Sequence, residues 1–406
     1  MLTERSFSLD EANSYFHEEI NRLNISVKSN SLLADKFGCF YSELFHKETN
    51  ISASCGYGKG TSKMALLGSK FEALENYTSI ASNLNIEYEN ISFEELITRK
   101  NQIIRSKIFS QILLEEKYQK ISLPWTRYQN YFNPADYTYV PIASINPLYL
   151  DKRLSDDIFP YEEIYIESTN NGVAIGCSLD EAIVHATLEI IERDAASIFL
   201  IKNFISDKNH TIKIINAKKL TGDNLLAYNF LKNNSKQNPI IIFLENDFNI
   251  PAFCTYIANS NVPIVGFGAS QSTEYALHRS LLECIEQKAI NDSLKLQNLS
   301  YATIFPTLPK FRDCMKFNLR QLIKRKPIEK IVLEDDEQNL KFLDLKLYKE
   351  QLMQKIREKG FSIYYKILYQ SEMVCTVQVI IPEADESISI LHGMLSHFSE
   401  RGKSEV

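Results

Sequence analysis

Three segments of the sequence each carry two glutamates spaced three residues apart among apolar residues. The pairs are Glu72 and Glu75, Glu189 and Glu192, and Glu283 and Glu286. A spacing of three places both carboxylates on one face of a helix, where like charges destabilise it by roughly 0.2–0.5 kcal/mol. Burial beside apolar residues raises that cost unless a cation compensates it. Magnesium is the natural complement, because it takes a few protein oxygens together with substrate phosphate.

A plainer interpretation of each pair is a solvated helix face, since glutamate is a good helix former. The run from Glu334 to Glu337 has the same spacing in a polar, acidic stretch, and there we expect simple solvation. The three pairs differ from that run because each follows a glycine-containing segment and lies in a strongly apolar helix. Their recurrence favours a shared metal site.

Two further patterns suit phosphate. Gly58-Lys59-Gly60 stands just before a helix start, where free backbone N–H groups and the helix dipole favour an anion. Arg279, Glu283 and Gln287 follow one stripe of a helix, and Arg279 could clamp phosphate or form an ordinary surface ion pair. The sequence contains neither GxxxxGK[ST] nor GxGxxG, so neither common nucleotide-binding loop is present.

The helices that must present these glutamates are predicted at 62–83, 179–203 and about 272–296. The first follows a turn-like segment at 55–60, the second a glycine-containing segment at 168–178, and the third a turn-like segment at 263–268. Ser178 and Glu181 have capping-box spacing. Further helices are predicted at 8–24, 93–118, 315–325 and 346–359, and strands at 41–45, 239–244, 252–257, 362–368 and 374–381. Helices and strands without a regular βαβ rhythm indicate an α+β, or irregular α/β, fold.

The segment 121–164 is rich in proline and tyrosine and contains the single tryptophan, Trp125. Such a density of proline predicts strand and loop. We therefore expect an N-terminal segment over 1–54 that joins the core, a catalytic domain over 55–400 with this segment inside it, and a frayed tail over 401–406.

Composition narrows the class of protein. The 406 residues carry a formal charge of −6, which argues against a nucleic-acid-binding surface. The seven cysteines are scattered without a CxxC pair, which excludes a zinc site of the usual spacing and indicates mostly buried thiols. Neither a signal peptide nor a membrane-spanning run is present, so a reducing cytoplasm is the expected location.

Taken together, these segments resemble the signature blocks of the YcaO family. The blocks are Gly58–Gly60 with 71–77, 168–176 with 188–194, and 266–269 with 276–283 and Gln287. Weaker similarity extends to Arg5, to 35–38 and to the strand at 374–381 that ends at Pro382. The resemblance implies a YcaO-type fold with its own ATP site, formed by helices packed on β-sheet.

The resemblance also implies residue roles. Magnesium would be held by Glu75, Glu189, Glu192 and Glu283 with Glu72 adjacent, and nucleotide would be contacted by Arg5, Lys59, Ser168, Asn171, Arg279 and Gln287. The catalytic residues remain unassigned. YcaO proteins use ATP to phosphorylate a backbone amide oxygen of a ribosomally made precursor peptide, as in the biosynthesis of bacteriocins and other thiazole/oxazole-modified peptides.

Four outcomes stay open. Attack by a Cys, Ser or Thr side chain gives an azoline, which we favour slightly, and an external sulfur donor gives a thioamide. A non-catalytic nucleotide-binding subunit is the alternative from another class, and an ATP-dependent amide ligase or kinase acting on a small molecule is a weaker one. Asn76, Gly68 and Ser270 stand where the family often has Arg, Ser and His. The chain ends without the proline-rich terminus typical of azoline-forming members. A leader-binding or sulfur-delivery protein is the expected partner, with a homodimer as a further option and neither nucleic acid nor membrane.

Overall fold

A computed structural model describes residues 4–83, 86–99, 116–163, 168–258, 263–294, 307–333, 344–396 and 398–406. Its helices are α1 (Leu9–Arg22), α2 (Ser62–Asn83), α3 (Phe93–Thr98), α4 (Glu116–Gln119), α5 (Ile142–Ile145), α6 (Leu179–Leu200), α7 (Gly222–Asn233), α8 (Thr273–Leu294), α9 (Pro309–Lys316), α10 (Leu319–Ile323), α11 (Leu345–Glu358) and α12 (Glu400–Glu405). Its strands are β1 (Ile25–Ala34), β2 (Gly38–His46), β3 (Ser52–Gly60), β4 (Glu89–Ser92), β5 (Ser122–Asn130), β6 (Tyr137–Pro141), β7 (Val173–Gly176), β8 (Ile212–Ile215), β9 (Ile240–Phe243), β10 (Ala252–Ile257), β11 (Ile264–Ala269), β12 (Ile328–Ile331), β13 (Tyr364–Gln370) and β14 (Cys375–Ile380).

These strands form three sheets. One has the antiparallel order β1-β2-β3, and the second has the order β11-β10-β9-β8-β12, in which only the β8–β12 pair is parallel. The third has the order β4-β5-β13-β14-β7, with β6 paired to β5. The irregular α+β class predicted from the sequence is confirmed.

Each glutamate-bearing helix follows a strand and packs against it: α2 on β3, α6 on β7, and α8 on β11. Helix α6 also packs against β14, β10 and β11, so it lies between two sheets and is buried along most of its length. This placement explains why its sequence is apolar on nearly every side. The largest core cluster joins α6 to strands of both sheets.

Two segments predicted as turns, 55–60 and 263–268, are strands in the structure. Their glycines permit the close approach of the helix that follows. A Cβ on Gly58 would lie 2.0 Å from the carbonyl oxygen of Ala65, and one on Gly266 would lie 2.2 Å from the backbone nitrogen of Cys284. Glycine in a strand interior often marks such an approach of another backbone.

We expect Gly68→Ala and Gly58→Ala to change stability in opposite directions. Gly68 lies within α2, and the nearest atom to an added Cβ is 3.7 Å away. Alanine there should raise the free energy of unfolding by about 0.5–1 kcal/mol. Gly58→Ala should lower it by about 1–3 kcal/mol, because the added methyl collides with α2. Urea unfolding followed by circular dichroism measures both, and a Gly58→Ala variant as stable as wild type would contradict the packing argument.

Other predictions were wrong in detail. The C-terminal residues, expected to be frayed, form helix α12, in which Gly402 is buried. The helix predicted at 315–325 is two helices, because Phe317 adopts a left-handed φ of 42° and Asn318 caps a new start. Residues 100–115 of the predicted helix 93–118, and the acidic run 334–337, lie outside the described residues. No helix in the described part of the chain is long and apolar enough to cross a membrane.

Candidate functional site

Strand β3 and helix α8 bring a lysine against two carboxylates. Lys59 Nζ lies 2.9 Å from Glu283 Oε2 and 3.7 Å from Glu286 Oε1. Although burial opposes it, the attraction of Glu283 and Glu286 raises the pKa of Lys59 above its usual range. The pKa of Glu283 is lowered despite its burial, because Lys59 and Arg193 stabilise the charged form.

Helices α6 and α8 bring together an arginine and the second glutamate pair. Arg279 Nη2 lies 3.8 Å from Glu192 Oε2, an atom that is buried and has no hydrogen-bond partner among the described residues. On α6 itself, Arg193 Nε lies 3.8 Å from Glu189 Oε1. Burial raises the pKa of Glu192, with Glu283 adding to the effect. The second and third pairs therefore share one electrostatic environment.

The first pair, on α2, reaches the same environment. Glu75 Oε2 accepts a 2.8 Å hydrogen bond from the backbone N–H of Ile175 in β7. Burial raises the pKa of Glu75 well above its usual range, and Glu189 and Glu72 raise it further. Loss of hydration and the charge of Glu286 raise the pKa of Glu72 to about 7, although solvent still reaches its side chain. The first pair thus lies within electrostatic reach of Glu189 and Glu286.

The N-terminal residues join this region at the start of α6. Arg5 Nη1 lies 2.8 Å from Glu181 Oε1, and the hydroxyls of Ser6 and Ser178 are 2.9 Å apart. Ser178 caps α6 by accepting from the N–H of Glu181, as the capping spacing predicted. Glu181 pairs with Arg5, a partner that the local sequence could not indicate.

Three of the predicted nucleotide-binding residues form no hydrogen bond with the paired glutamates within the described part of the chain. The hydroxyl of Ser168 is buried and has no hydrogen-bond partner among the described residues. Asn171, just before β7, uses its backbone N–H to donate to Thr169. Gln287 lies on α8, four residues after Glu283, and is exposed.

Sequence reasoning missed Arg193 and Glu4 as members of this constellation and left Glu286 out of the metal set. Arg193 carried a signal, because it stands four residues after Glu189 on the same helix face. The spacing of three residues from Glu283 already indicated Glu286. Glu4 had no local signal, since it approaches Arg279 (3.7 Å) from the far end of the sequence.

These residues fit a nucleotide bound with magnesium. Glutamates with raised pKa values and a Glu192 oxygen without a hydrogen-bond partner among the described residues favour an added cation, while Lys59, Arg279 and Arg193 are suited to phosphate. Within the residues that the structure describes, no three acidic, histidine or cysteine side chains lie close enough to ligate one ion by themselves. An ion here would therefore take its remaining oxygens from phosphate and water, which is the usual habit of magnesium.

We expect binding of magnesium and nucleotide to release protons near neutral pH. Burial, with Glu192 and Glu283 adding to it and Arg193 opposing it, raises the pKa of Glu189 to about 7. This folded-state pKa exceeds the unfolded one, so in the free protein the carboxyl contributes stability at low pH that is lost as pH rises from about 4.5 to 7. A bound cation favours the charged form, so the affinity for magnesium and nucleotide should increase from pH 6 to 8.

Calorimetry of AMPPCP and Mg²⁺ binding at pH 7, in two buffers of different ionisation enthalpy, measures this proton release. Glu189 and Glu72, whose pKa values are both raised to about 7, should each release about half a proton. Equal heats in the two buffers would contradict the assignment of Glu189.

Known proteins resemble this chain in sequence and in fold. The family model described as YcaO cyclodehydratase, ATP- and Mg²⁺-binding, matches residues 56–385, whereas a search of curated proteins finds no match. The YcaO of Methanopyrus kandleri, solved with AMPPCP and Mg²⁺, is 16% identical, with a TM-score of 0.67 over 98% of both chains.

Two further solved structures share the fold. A heterocyclase in complex with substrate and cofactor is 15% identical, with a TM-score of 0.68. The match covers 98% of this chain and 57% of the heterocyclase chain. The E. coli microcin synthetase complex McbBCD is 16% identical, with a TM-score of 0.60 over 88% of each chain. Because the family model matches well over half of its residues, the chain belongs to the YcaO family, which binds ATP and Mg²⁺.

Proposed function

We propose that this protein uses ATP to activate a backbone amide of a ribosomally made peptide. The observation that carries the proposal is that the second and third glutamate pairs lie against the cations Lys59 and Arg279, while Glu75 of the first pair accepts from the backbone of β7. Such a site combines ligands for a divalent ion with donors for phosphate oxygens. Positioning and charge stabilisation of this kind account for most of the catalysis of phosphoryl transfer.

The proposed roles are those that the resemblance to the YcaO family implies. The carboxylates that would hold magnesium are Glu72, Glu75, Glu189, Glu192 and Glu283. The groups that would contact nucleotide are Arg5, Lys59, Ser168, Asn171, Arg279 and Gln287. When bound, magnesium would neutralise phosphate charge and fix the nucleotide, and the buried carboxylate of Glu192 would be among its ligands.

The proposed reaction is cyclodehydration. The amide oxygen of the peptide attacks the γ-phosphorus of ATP, and ADP leaves. The side-chain sulfur or oxygen of a neighbouring Cys, Ser or Thr adds to the same amide carbon and loses its proton. Phosphate then departs with the former amide oxygen while the amide nitrogen loses its proton and forms the C=N bond, so the product is an azoline ring and the peptide has lost the elements of water.

Mass spectrometry of a candidate precursor peptide, incubated with the protein, ATP, Mg²⁺ and any partner protein, tests this function. We expect a loss of about 18 Da for each azoline, together with equal amounts of ADP and phosphate. A gain of about 16 Da would instead identify the thioamide product, with sulfur from an external donor. Tight ATP binding without hydrolysis under any combination would support the non-catalytic subunit.

A partner protein is part of the proposal. The structural relatives include a multi-protein complex, the E. coli McbBCD microcin synthetase. By this likeness we expect a second protein to recognise the peptide leader or to deliver sulfur. Co-purification of the tagged chain with proteins encoded beside it, with and without the peptide, would test this expectation, and stimulation of ATP hydrolysis by the purified partner would support it.

A further inference from the structure

The N-terminal residue Glu4 is buried, although it belongs to the first residues that the structure describes. It lies outside the segment 56–385 that matches the family model. Burying a carboxylate is costly unless it is paired or hydrogen-bonded. The surroundings of Glu4 therefore need a physical explanation.

One oxygen of Glu4 is held by two hydroxyl groups. Glu4 Oε1 accepts from Ser270 Oγ at 2.5 Å and from the phenol of Tyr348 at 2.6 Å. Tyr348 is itself fully buried at the start of α11, and its hydroxyl also accepts from the backbone N–H of Gln271 at 3.0 Å. These bonds fix both the position and the orientation of the carboxylate.

The other oxygen of Glu4 faces the candidate site. Glu4 Oε2 lies 3.7 Å from Arg279 Nη1, while Arg279 Nη2 lies 3.8 Å from Glu192 Oε2. Both distances are within ion-pair range but longer than a hydrogen bond. The guanidinium is therefore held between two buried carboxylates, while its N–H groups remain able to donate to a phosphate.

We propose that Glu4 is a positioning residue that orients Arg279 for the nucleotide. The inference rests on the proposed role of Arg279 in nucleotide binding. Arg279 has a long side chain, and ordering it before the ligand arrives removes part of the entropic cost of binding. The chain from Ser270 and Tyr348 through Glu4 to Arg279 supplies that order from three separate parts of the sequence.

The variant Glu4→Gln removes the negative charge of this side chain while nearly keeping its shape. Glutamine retains an oxygen for Ser270 and Tyr348 but places a neutral amide before Arg279. We expect the dissociation constant of AMPPCP with Mg²⁺, measured by calorimetry, to rise about tenfold. In a protein that already carries Arg279→Lys, adding Glu4→Gln should change this dissociation constant by less than about twofold, because Glu4 acts through the arginine.

Glu19 supplies a matched control. It is also fully buried, accepts from Ser371 Oγ at 2.8 Å and from the phenol of Tyr369, and pairs with Arg22 at 2.6 Å. None of these partners belongs to the candidate site. Glu19→Gln should lower the melting temperature but leave the dissociation constant within about twofold of the wild-type value.

The outcomes separate this inference from the proposed function. An unchanged affinity in Glu4→Gln, or an equal loss in the wild-type and Arg279→Lys backgrounds, would overturn the positioning role while leaving nucleotide binding intact. A loss of affinity in Glu19→Gln as large as in Glu4→Gln would show a general structural effect and also overturn it. If the wild-type protein does not bind AMPPCP with Mg²⁺, both the inference and the proposed function fail.

Discussion

Replacing Glu192 by glutamine is expected to reduce Mg²⁺-dependent ATP hydrolysis by about 100- to 1,000-fold, and Glu189→Gln should have a similar effect. Glu192 lies on the buried central helix, and one of its oxygens has no hydrogen-bond partner among the described residues. Glutamine has nearly the same shape but cannot supply the negative charge that a magnesium ion requires. A phosphate-release assay at saturating peptide measures the loss.

The same substitution should not destabilise the free protein. Burial raises the pKa of Glu192, with Glu283 adding to the effect, so charging this carboxylate opposes folding when no cation is present. We therefore expect the melting temperature of Glu192→Gln to equal or exceed that of wild type. The exposed Glu245, paired with Lys213, provides a control, since Glu245→Gln should retain full activity. Unchanged turnover in both Glu189→Gln and Glu192→Gln would remove the proposed metal site.

A second large effect is expected from Asp194→Ala, which should lower the free energy of unfolding by about 3–5 kcal/mol. Asp194 is fully buried, and its carboxylate accepts from Arg401 Nη1 at 2.8 Å and from the backbone N–H of Asp385 at 2.7 Å. Alanine would leave that N–H without its acceptor and remove the buried anchor of α12. Urea unfolding of the wild-type and variant proteins measures the difference.

Asp247→Ala is the matched control for this prediction. Asp247 contacts the same arginine, with Arg401 Nη2 at 2.7 Å, but its side chain is 66% exposed. Exposed ion pairs contribute about 0–1 kcal/mol, so this variant should remain close to wild type. If the two variants were equally destabilised, burial of Asp194 would not be the reason for its importance.

Much of the candidate site could be predicted from the sequence because its residues lie on long, locally encoded helices. The spacing of Glu189 and Glu192, and of Glu283 and Glu286, puts each pair on one helix face through local geometry alone. Packing of the helices and strands then brings Lys59, Glu192, Glu283 and Arg279 into contact or near contact. Their roles in binding magnesium and nucleotide remain predictions.

Other features could not be predicted because they depend on long-range pairing. The segments around Gly58 and Gly266 contain the glycines of turns, yet they are strands because neighbouring strands supply their hydrogen bonds. The polar C-terminal residues give no local sign of order. They are ordered because Arg401 forms an ion pair with Asp194 on the central helix. The partners Glu4 and Tyr348 are 344 positions apart.

The sequence by itself determined the three long glutamate-bearing helices, the spacing of their carboxylates and the resemblance to a family, because helix formation and side-chain periodicity depend on residues within a few turns. Tertiary structure decided which glycine-containing segments became strands, how the carboxylate pairs came close to the cations, and that Arg279 lies between Glu4 and Glu192. Contacts between distant segments form only when the sheets and helices pack, so no local pattern encodes them.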